Sequence, residues 1–206
     1  MFYRPSAADH GLPIDPFVAC VVPRPIAWVS TRSADGISNL APFSYFNAVA
    51  SDPPILMFSI TGHHPHGPKD TLRNIEETGE FAVNMVSSDL REPMNASCAA
   101  VGPDISEFDL SGMTEARCQT IAAPRVAESP ITFECRLYQK TELPVRPDAP
   151  PGLRNVMILG LVEGIHIDDS ILREGRVDPT LLKPLVRLGY RDYAVITEVF
   201  RMTRPG

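Results

Sequence analysis

Residues 37–60 read ISNLAPFSYFNAVASDPPILMFSI, and a histidine-rich loop leads from them to Lys69-Asp70-Thr71. Two apolar strand candidates are joined by a turn in this stretch, and a helix start follows. Asn39, Ser44, Asn47 and Ser59 interrupt the apolar runs. A plain core strand has no use for so many amide and hydroxyl groups, because each one left buried and unpaired costs about 1–3 kcal/mol. A planar polar ligand would supply their partners. Leu72 and Ile75 have helical spacing over Thr71–Thr78, Gly79 is a stop signal, and Asp70 is the expected N-cap. The first turn of a helix leaves backbone N–H groups unpaired at its positive end. With the Lys69 ammonium and the Thr71 hydroxyl added, the triplet forms a phosphate site. On its own, the triplet reads equally as an ordinary capped surface helix.

The stretch belongs to an ordered series: Pro23-Arg24-Pro25-Ile26-Ala27, Trp28-Val29-Ser30-Thr31, Asn39-Leu40-Ala41-Pro42-Phe43-Ser44, Asp52-Pro53-Pro54 and Lys69-Asp70-Thr71-Leu72. This series resembles the flavin reductase-like family of FMN-binding split-barrel proteins. The resemblance is close over residues 20–87 and fainter through 160–169 and 187–194. It implies a mainly β fold, a Greek-key split β-barrel with a few short helices. It also implies FMN lined by Ser30, Thr31, Asn39, Ala41, Ser44 and Ser59, with its phosphate on Lys69 and Thr71. Similar proteins often carry Arg just before this lysine; Pro68 stands there instead. One phosphate partner is lost unless a histidine of the preceding loop replaces it. Similar reductases place a His and an Arg–Tyr region on the nicotinamide side of the pocket. The resemblance therefore implies catalytic roles for His166 and Arg187 and substrate contacts for Tyr190 and Tyr193. The residues alone equally allow a hydrogen-bonded strand histidine and a structural Arg–Asp pair.

The chain has 206 residues and a net charge of -6, with a pI near 5.4. Its basic residues are scattered, which argues against nucleic-acid binding. Any anionic ligand needs a local cation, and Lys69 offers one. Cys20, Cys98, Cys118 and Cys135 show no CxxC spacing, and the opening has no signal-peptide pattern. Four free, mostly buried thiols in a cytoplasmic protein are expected. No stretch is long and apolar enough to span a membrane. Proline, at 21 residues, is roughly twice its usual share and sits at segment edges, as suits many short strands.

Along the chain, Ile26–Thr31 reads as a strand, Ala34-Asp35-Gly36 as a hairpin turn, and Ile55–Ile60 as a buried strand. His63, His64 and His66 fit no metal-ligand spacing and read as solvated loop histidines near a ligand phosphate. Phe81–Val86 follows as a strand and Pro93–Ala100 as a helix; residues 102–130 read as loops with one short strand. Ile131–Thr141 alternates cleanly. Leu143–Leu153, with four prolines, is a stiff connection. Asn155–Asp168 is the longest strand, with bends or bulges at Gly160 and Gly164. Ile171–Val177 reads as a short helix or turn and Tyr193–Phe200 as the last strand. No repeat or composition break divides the chain, so one domain over residues 1–206 is expected. Trp28 and Phe46 are read as core. Arg24 is read as answering a ligand charge or forming a surface salt bridge.

There is no GxSxG, HExxH, Walker loop or GxGxxG. A nicotinamide cofactor, if used, visits as a transient donor. The expected activity is NAD(P)H-dependent flavin reduction, with a homodimer completing the pocket and a monooxygenase as a possible recipient of reduced flavin. The alternatives are a non-catalytic FMN-binding protein and an oxidase of another small substrate, as in the related pyridoxamine-phosphate oxidases.

Overall fold

The computed structural model describes residues 1–5, 9–62 and 64–205. A short strand, β1 (Arg24–Pro25), leads into β2 (Ala27–Arg32), β3 (Ser38–Phe43), β4 (Phe46–Ser51) and β5 (Pro54–Ile60). Gly36, at φ 88°, closes the expected turn between β2 and β3. After the histidine loop comes α1 (Asp70–Thr78), closed by Gly79 in the left-handed region, then β6 (Glu80–Met85). The N-cap of α1 is Lys69, with no side-chain cap bond. Asp70 instead occupies the first helical position, where its carboxylate reaches one turn ahead and pairs with Arg73 at 2.5 Å.

The next segment departs most from expectation. The helix α2 runs Arg91–Ala96, so Pro93 lies in the first turn, where its missing N–H breaks no helical bond. Residues 102–130 hold a helix, α3 (Glu107–Ser111), and two short paired strands, β7 (Glu115–Ala116) and β8 (Arg125–Val126). Two long strands follow, β9 (Ile131–Leu143) and β10 (Asn155–Ile167). Residues 172–177 form a hairpin rather than a helix, with β11 (Leu172–Arg173) and β12 (Arg176–Val177) turning through Glu174 and Gly175, both at positive φ. After α4 (Pro179–Leu182), β13 (Leu185–Arg187) pairs with β14 (Tyr193–Val195). The last strand is shorter than expected and stops at Val195.

Seven strands form one antiparallel sheet in the order β3-β2-β6-β9-β10-β5-β4. Pro42 is tolerated because β3 lies at its edge. The register between β9 and β10 slips between Leu159 and Gly160 and again between Val162 and Gly164, as the glycines predict. At Gly160 a Cβ would lie 2.3 Å from Cζ of Phe81, a fully buried ring stacked edge-on to Phe58. Only a glycine lets β10 pass this close to the core.

One face of the sheet packs Ala27, Val29, Phe58, Phe81 and Ile158 into the main core. Its other face at β2 and β3 packs Trp28 and Leu40 against Met94, Phe108 and Leu185. Because β2 is buried on both faces, its hydroxyls have no route to solvent. Trp28 and Phe46 are both core residues. A small sheet, β1-β13-β14, sets Arg24 opposite Arg187 and Arg187 opposite Tyr193. Cys118 and Cys135 are buried, whereas Cys20 and Cys98 are exposed, so half of the thiols depart from the expected burial. Among the described residues no helix is long and apolar enough to cross a membrane.

Candidate functional site

Three adjoining cavities follow β3 and the turn after it. The first, about 350 Å³, lies between Asn39–Phe43 and the start of α1, and Lys69, Thr71 and His64 line it. The second, about 250 Å³, shares Pro42, Phe43 and Cys98 with the first and brings in Arg187, Tyr190 and Tyr193. The third, about 740 Å³, shares Arg24, Ser44 and Tyr45 with the second and reaches Ser59, Met57 and Leu143. The result is a single groove with a lysine end, an arginine–tyrosine middle and an apolar far end.

Lys69 caps α1 and leans across Phe43, its Nζ 5.7 Å from the ring centroid. The ammonium donates to the Thr61 carbonyl at 3.0 Å. Burial pushes its pKa below the ordinary lysine value, with Cys98 acting weakly the other way. A half-buried ammonium bonded to a neutral carbonyl, beside the positive end of a helix, is arranged for an anion. The Thr71 hydroxyl is already committed, donating to Asn39 Oδ1 at 2.8 Å. In the middle section Arg187 lies 4.4 Å from the Tyr193 ring centroid and donates to the Tyr190 carbonyl. No Asp pairs with it among the described residues.

The groove thus gathers Asn39, Ala41, Lys69 and Thr71 at one end, Arg187, Tyr190, Tyr193 and Ser44 in the middle, and Ser59 at the far end. It does not gather Ser30, Thr31 or His166. Ser30 is fully buried, donating to the Pro124 carbonyl at 2.6 Å and accepting from Asn84 at 3.0 Å. Thr31, also fully buried, accepts from Asn74 at 3.0 Å behind Asn39. His166 Nε2 sits 2.5 Å from Glu134 Oε1, and His166 lines none of the three cavities. Arg24 lines the middle and far cavities and forms no salt bridge among the described residues. It is buried, and its guanidinium donates to the carbonyls of Val18 at 2.6 Å, Val21 at 2.5 Å and Leu188 at 2.9 Å. Of the three loop histidines, His63 lies outside the described residues, His64 reaches the cavity wall and His66 does not.

Two features of the lysine end escaped the sequence. Ser97-Cys98-Ala99-Ala100 lines the cavity after α2 has ended; this small-residue tract after a helix was the available signal. Glu107, from α3, closes the floor at 5% exposure. Its Oε2 accepts from Asn39 Nδ2 at 2.8 Å and from the Leu40 N–H at 3.0 Å. No pattern in residues 102–130 marked it. Among the described residues no group of three or more His, Cys, Asp or Glu could hold a metal ion.

Comparison with known proteins decides the family. The model of the flavin reductase-like domain matches residues 19–191. The chain belongs to that family. Nitrilotriacetate monooxygenase component B of Bacillus cereus is 30% identical, with a TM-score of 0.87 and 98% of each chain covered. The 2-nitrobenzoate 2-nitroreductase of Pseudomonas fluorescens is also 30% identical, with a TM-score of 0.83 over 100% of this chain and 96% of that one. A Shewanella frigidimarina protein with a split barrel domain shares the fold at 20% identity and a TM-score of 0.79, covering 92% and 90% of the two chains.

Proposed function

We propose that this flavin reductase-like protein binds FMN along the β3 groove and uses NAD(P)H to reduce it, acting as an oxidoreductase. Lys69 carries the reading: a half-buried ammonium at a helix start, facing a cavity that continues into a second one walled by a cation and two tyrosines. The donor set fits a phosphate-bearing flavin. Lys69 and the first turn of α1 hold the phosphate, and His64, on the wall of the same cavity, substitutes for the arginine that Pro68 replaces. The backbone of Ala41–Ser44 runs beside the ring, and Pro42 fixes its path. FMN supplies two-electron chemistry, taking hydride and passing electrons on. The chain supplies position: Arg187 and Tyr193 orient a nicotinamide donor in the middle cavity, where a reacting carbon must come within about 3–3.5 Å of its acceptor.

The greatest part of the groove, its apolar far end, is the widest and least enclosed. We assign it to completion by a second copy of the chain in a homodimer, as split barrels of Greek-key form do by resemblance, the whole of residues 1–206 acting as one domain. Reduced flavin then passes to a partner monooxygenase, a role that the likeness to a monooxygenase component supports. A second reading follows from the same cavity and from the nitroreductase relative: an aromatic acceptor enters the apolar end and is reduced there directly. Steady-state NAD(P)H oxidation with and without added FMN, then with a nitroaromatic acid as acceptor, tests both. FMN-dependent oxidation is expected. No FMN uptake in equilibrium dialysis at tens of micromolar, on the ordinary affinity scale, overturns the proposal.

A further inference from the structure

The floor of the lysine end is a buried hydrogen-bond chain with a directional order. Glu107 as a carboxylate can only accept, so the Asn39 amide must turn its NH₂ toward Glu107 Oε2, at 2.8 Å. The Asn39 carbonyl oxygen then faces the other way. It takes the Thr71 hydroxyl proton at 2.8 Å and the Thr31 hydroxyl proton at 3.4 Å. Thr31 in turn accepts from Asn74 Nδ2 at 3.0 Å, and Asn74 Oδ1 is buried with no partner. All five residues are at most 7% exposed. In this order Thr71 has spent its only proton inward, so toward the cavity it can only accept, which is the wrong polarity for a phosphate.

The chain has a second order that keeps its bonds. A protonated Glu107 donates to the Asn39 carbonyl oxygen, so the Asn39 amide turns over and its NH₂ faces Thr71 and Thr31. Thr31 then donates to Asn74, whose amide turns over in step: the single bond between the two, at 3.0 Å, is kept in reversed direction, and the Asn74 NH₂ takes the unpartnered place its oxygen held. Thr71, now an acceptor from Asn39, is free to donate into the cavity. One proton from solvent enters and none leaves.

We propose that Glu107 is a positioning residue whose protonation, relayed through the Asn39 amide, turns Thr71 into a donor for a phosphomonoester at the start of α1, so that binding there takes up a proton. The proposal rests on the assignment of a phosphate to this end of the groove and needs no property of the flavin ring. The surroundings favour the step. Burial raises the Glu107 pKa above the ordinary carboxylate value, opposed by the Leu40 N–H and the Asn39 amide, and Asp70 of α1 adds to the rise. Asp70 itself is paired with Arg73. Lys69, His64 and Cys98 face the same cavity, and Asp109, on Glu107's own helix, is exposed. The neighbouring β3 side chain, Asn39, is neutral.

Isothermal titration in buffers of different ionisation enthalpy measures the uptake, with FMN, riboflavin and phenyl phosphate as probes. The phosphate's own titration contributes to every protein alike, so the comparison with Glu107→Gln isolates the relay. Wild-type protein is expected to take up more protons than Glu107→Gln on binding FMN. Its FMN affinity should fall about tenfold relative to that variant as pH rises, the worth of a hydrogen bond to a charged group. Riboflavin should show neither effect. Thr71→Val, which removes the last donor, should abolish the extra uptake and leave riboflavin binding intact. Equal uptake in wild type and Glu107→Gln overturns the relay, and so does extra uptake that survives in Thr71→Val, which would mean direct repulsion between carboxylate and phosphate. FMN binding without Glu107-dependent uptake removes the relay and keeps the flavin reading. Uptake with phenyl phosphate but no FMN binding does the reverse. Failure of both phosphomonoesters to bind overturns both.

Discussion

Glu107 and Glu134 are both buried acids, and the fold drives them in opposite directions. Glu107 meets two donors and burial prevails, so its pKa rises. Glu134, at 0% exposure, meets four: Gln119 N–H at 2.7 Å, Thr120 N–H and hydroxyl each at 2.6 Å, and His166. Burial raises its pKa too, but the donors led by Thr120 outweigh it and bring it to about 2. Burial alone therefore does not decide the charge of an acid; the count of N–H and O–H groups turned toward it does. One carboxylate is committed to holding the 117–122 segment on the sheet. The other is left poised beside a ligand cavity.

The largest effect that could break this contrast is at the committed acid. Glu134→Ala leaves three loop donors without their acceptor and should cost about 3 kcal/mol; a fall in the urea midpoint at unchanged slope measures it. Its pH signature has a definite sign. The folded pKa lies below the unfolded value of about 4.3, so Glu134 contributes stability above that pH and loses it as pH falls toward 2. Glu134→Gln should flatten the acid limb of the stability curve, and an unchanged limb would show that the segment is held by other contacts.

At the ligand end, Lys69→Ala should weaken FMN by about 1.5–3 kcal/mol, the worth of a charge-assisted hydrogen bond, with little loss for riboflavin. Equal losses for the two would move the phosphate away from α1. In the middle cavity, Arg187→Ala should lower kcat/KM for NAD(P)H about 10- to 100-fold, or ~1.4–2.8 kcal/mol, without changing FMN affinity. His166→Ala, on the Glu134 side, should leave flavin reduction in stopped flow near the wild-type rate. A large drop there would join the two regions that the structure keeps apart. The smallest effect is a sign. A raised carboxylate pKa favours the folded state most at low pH and less as pH climbs through it. Glu107→Gln should therefore gain stability relative to wild type as pH rises, the opposite slope to Glu134→Gln.

The sheet was legible because its strands carry their own signals: alternation in Ile131–Thr141, the Ala34-Asp35-Gly36 turn, and the glycines of β10 that mark its two slips. The lysine end was legible for the same local reason, since Lys69 and Thr71 belong to one helix start. What stayed hidden depends on distant partners. Glu107 reads as a surface acid until Asn39, 68 residues away, is laid against it. His166 sits on a strand whose alternation gives a face but no neighbour, and the neighbour, Glu134, is 32 residues earlier. Ser30 and Thr31, given to the flavin by the resemblance, lie on a strand buried on both faces, and their hydroxyl partners, the Pro124 carbonyl and Asn74, are distant in sequence. The helix α3 escaped because five residues are too few to show a helical period.

The Arg24 guanidinium gives the groove an unexpected dependence on the first part of the chain. It clasps the carbonyls of Val18 and Val21 on one side and of Leu188 on the other. Gly189 lies so close to Ala19 that an added Cβ would come within 2.4 Å of the alanine methyl. The loop that carries Tyr190 is thus fastened to residues that contribute no chemistry of their own. Trimming the chain to Pro23 would unfasten the donor side of the groove, so residues 18–21 behave as a hinge pin for that wall.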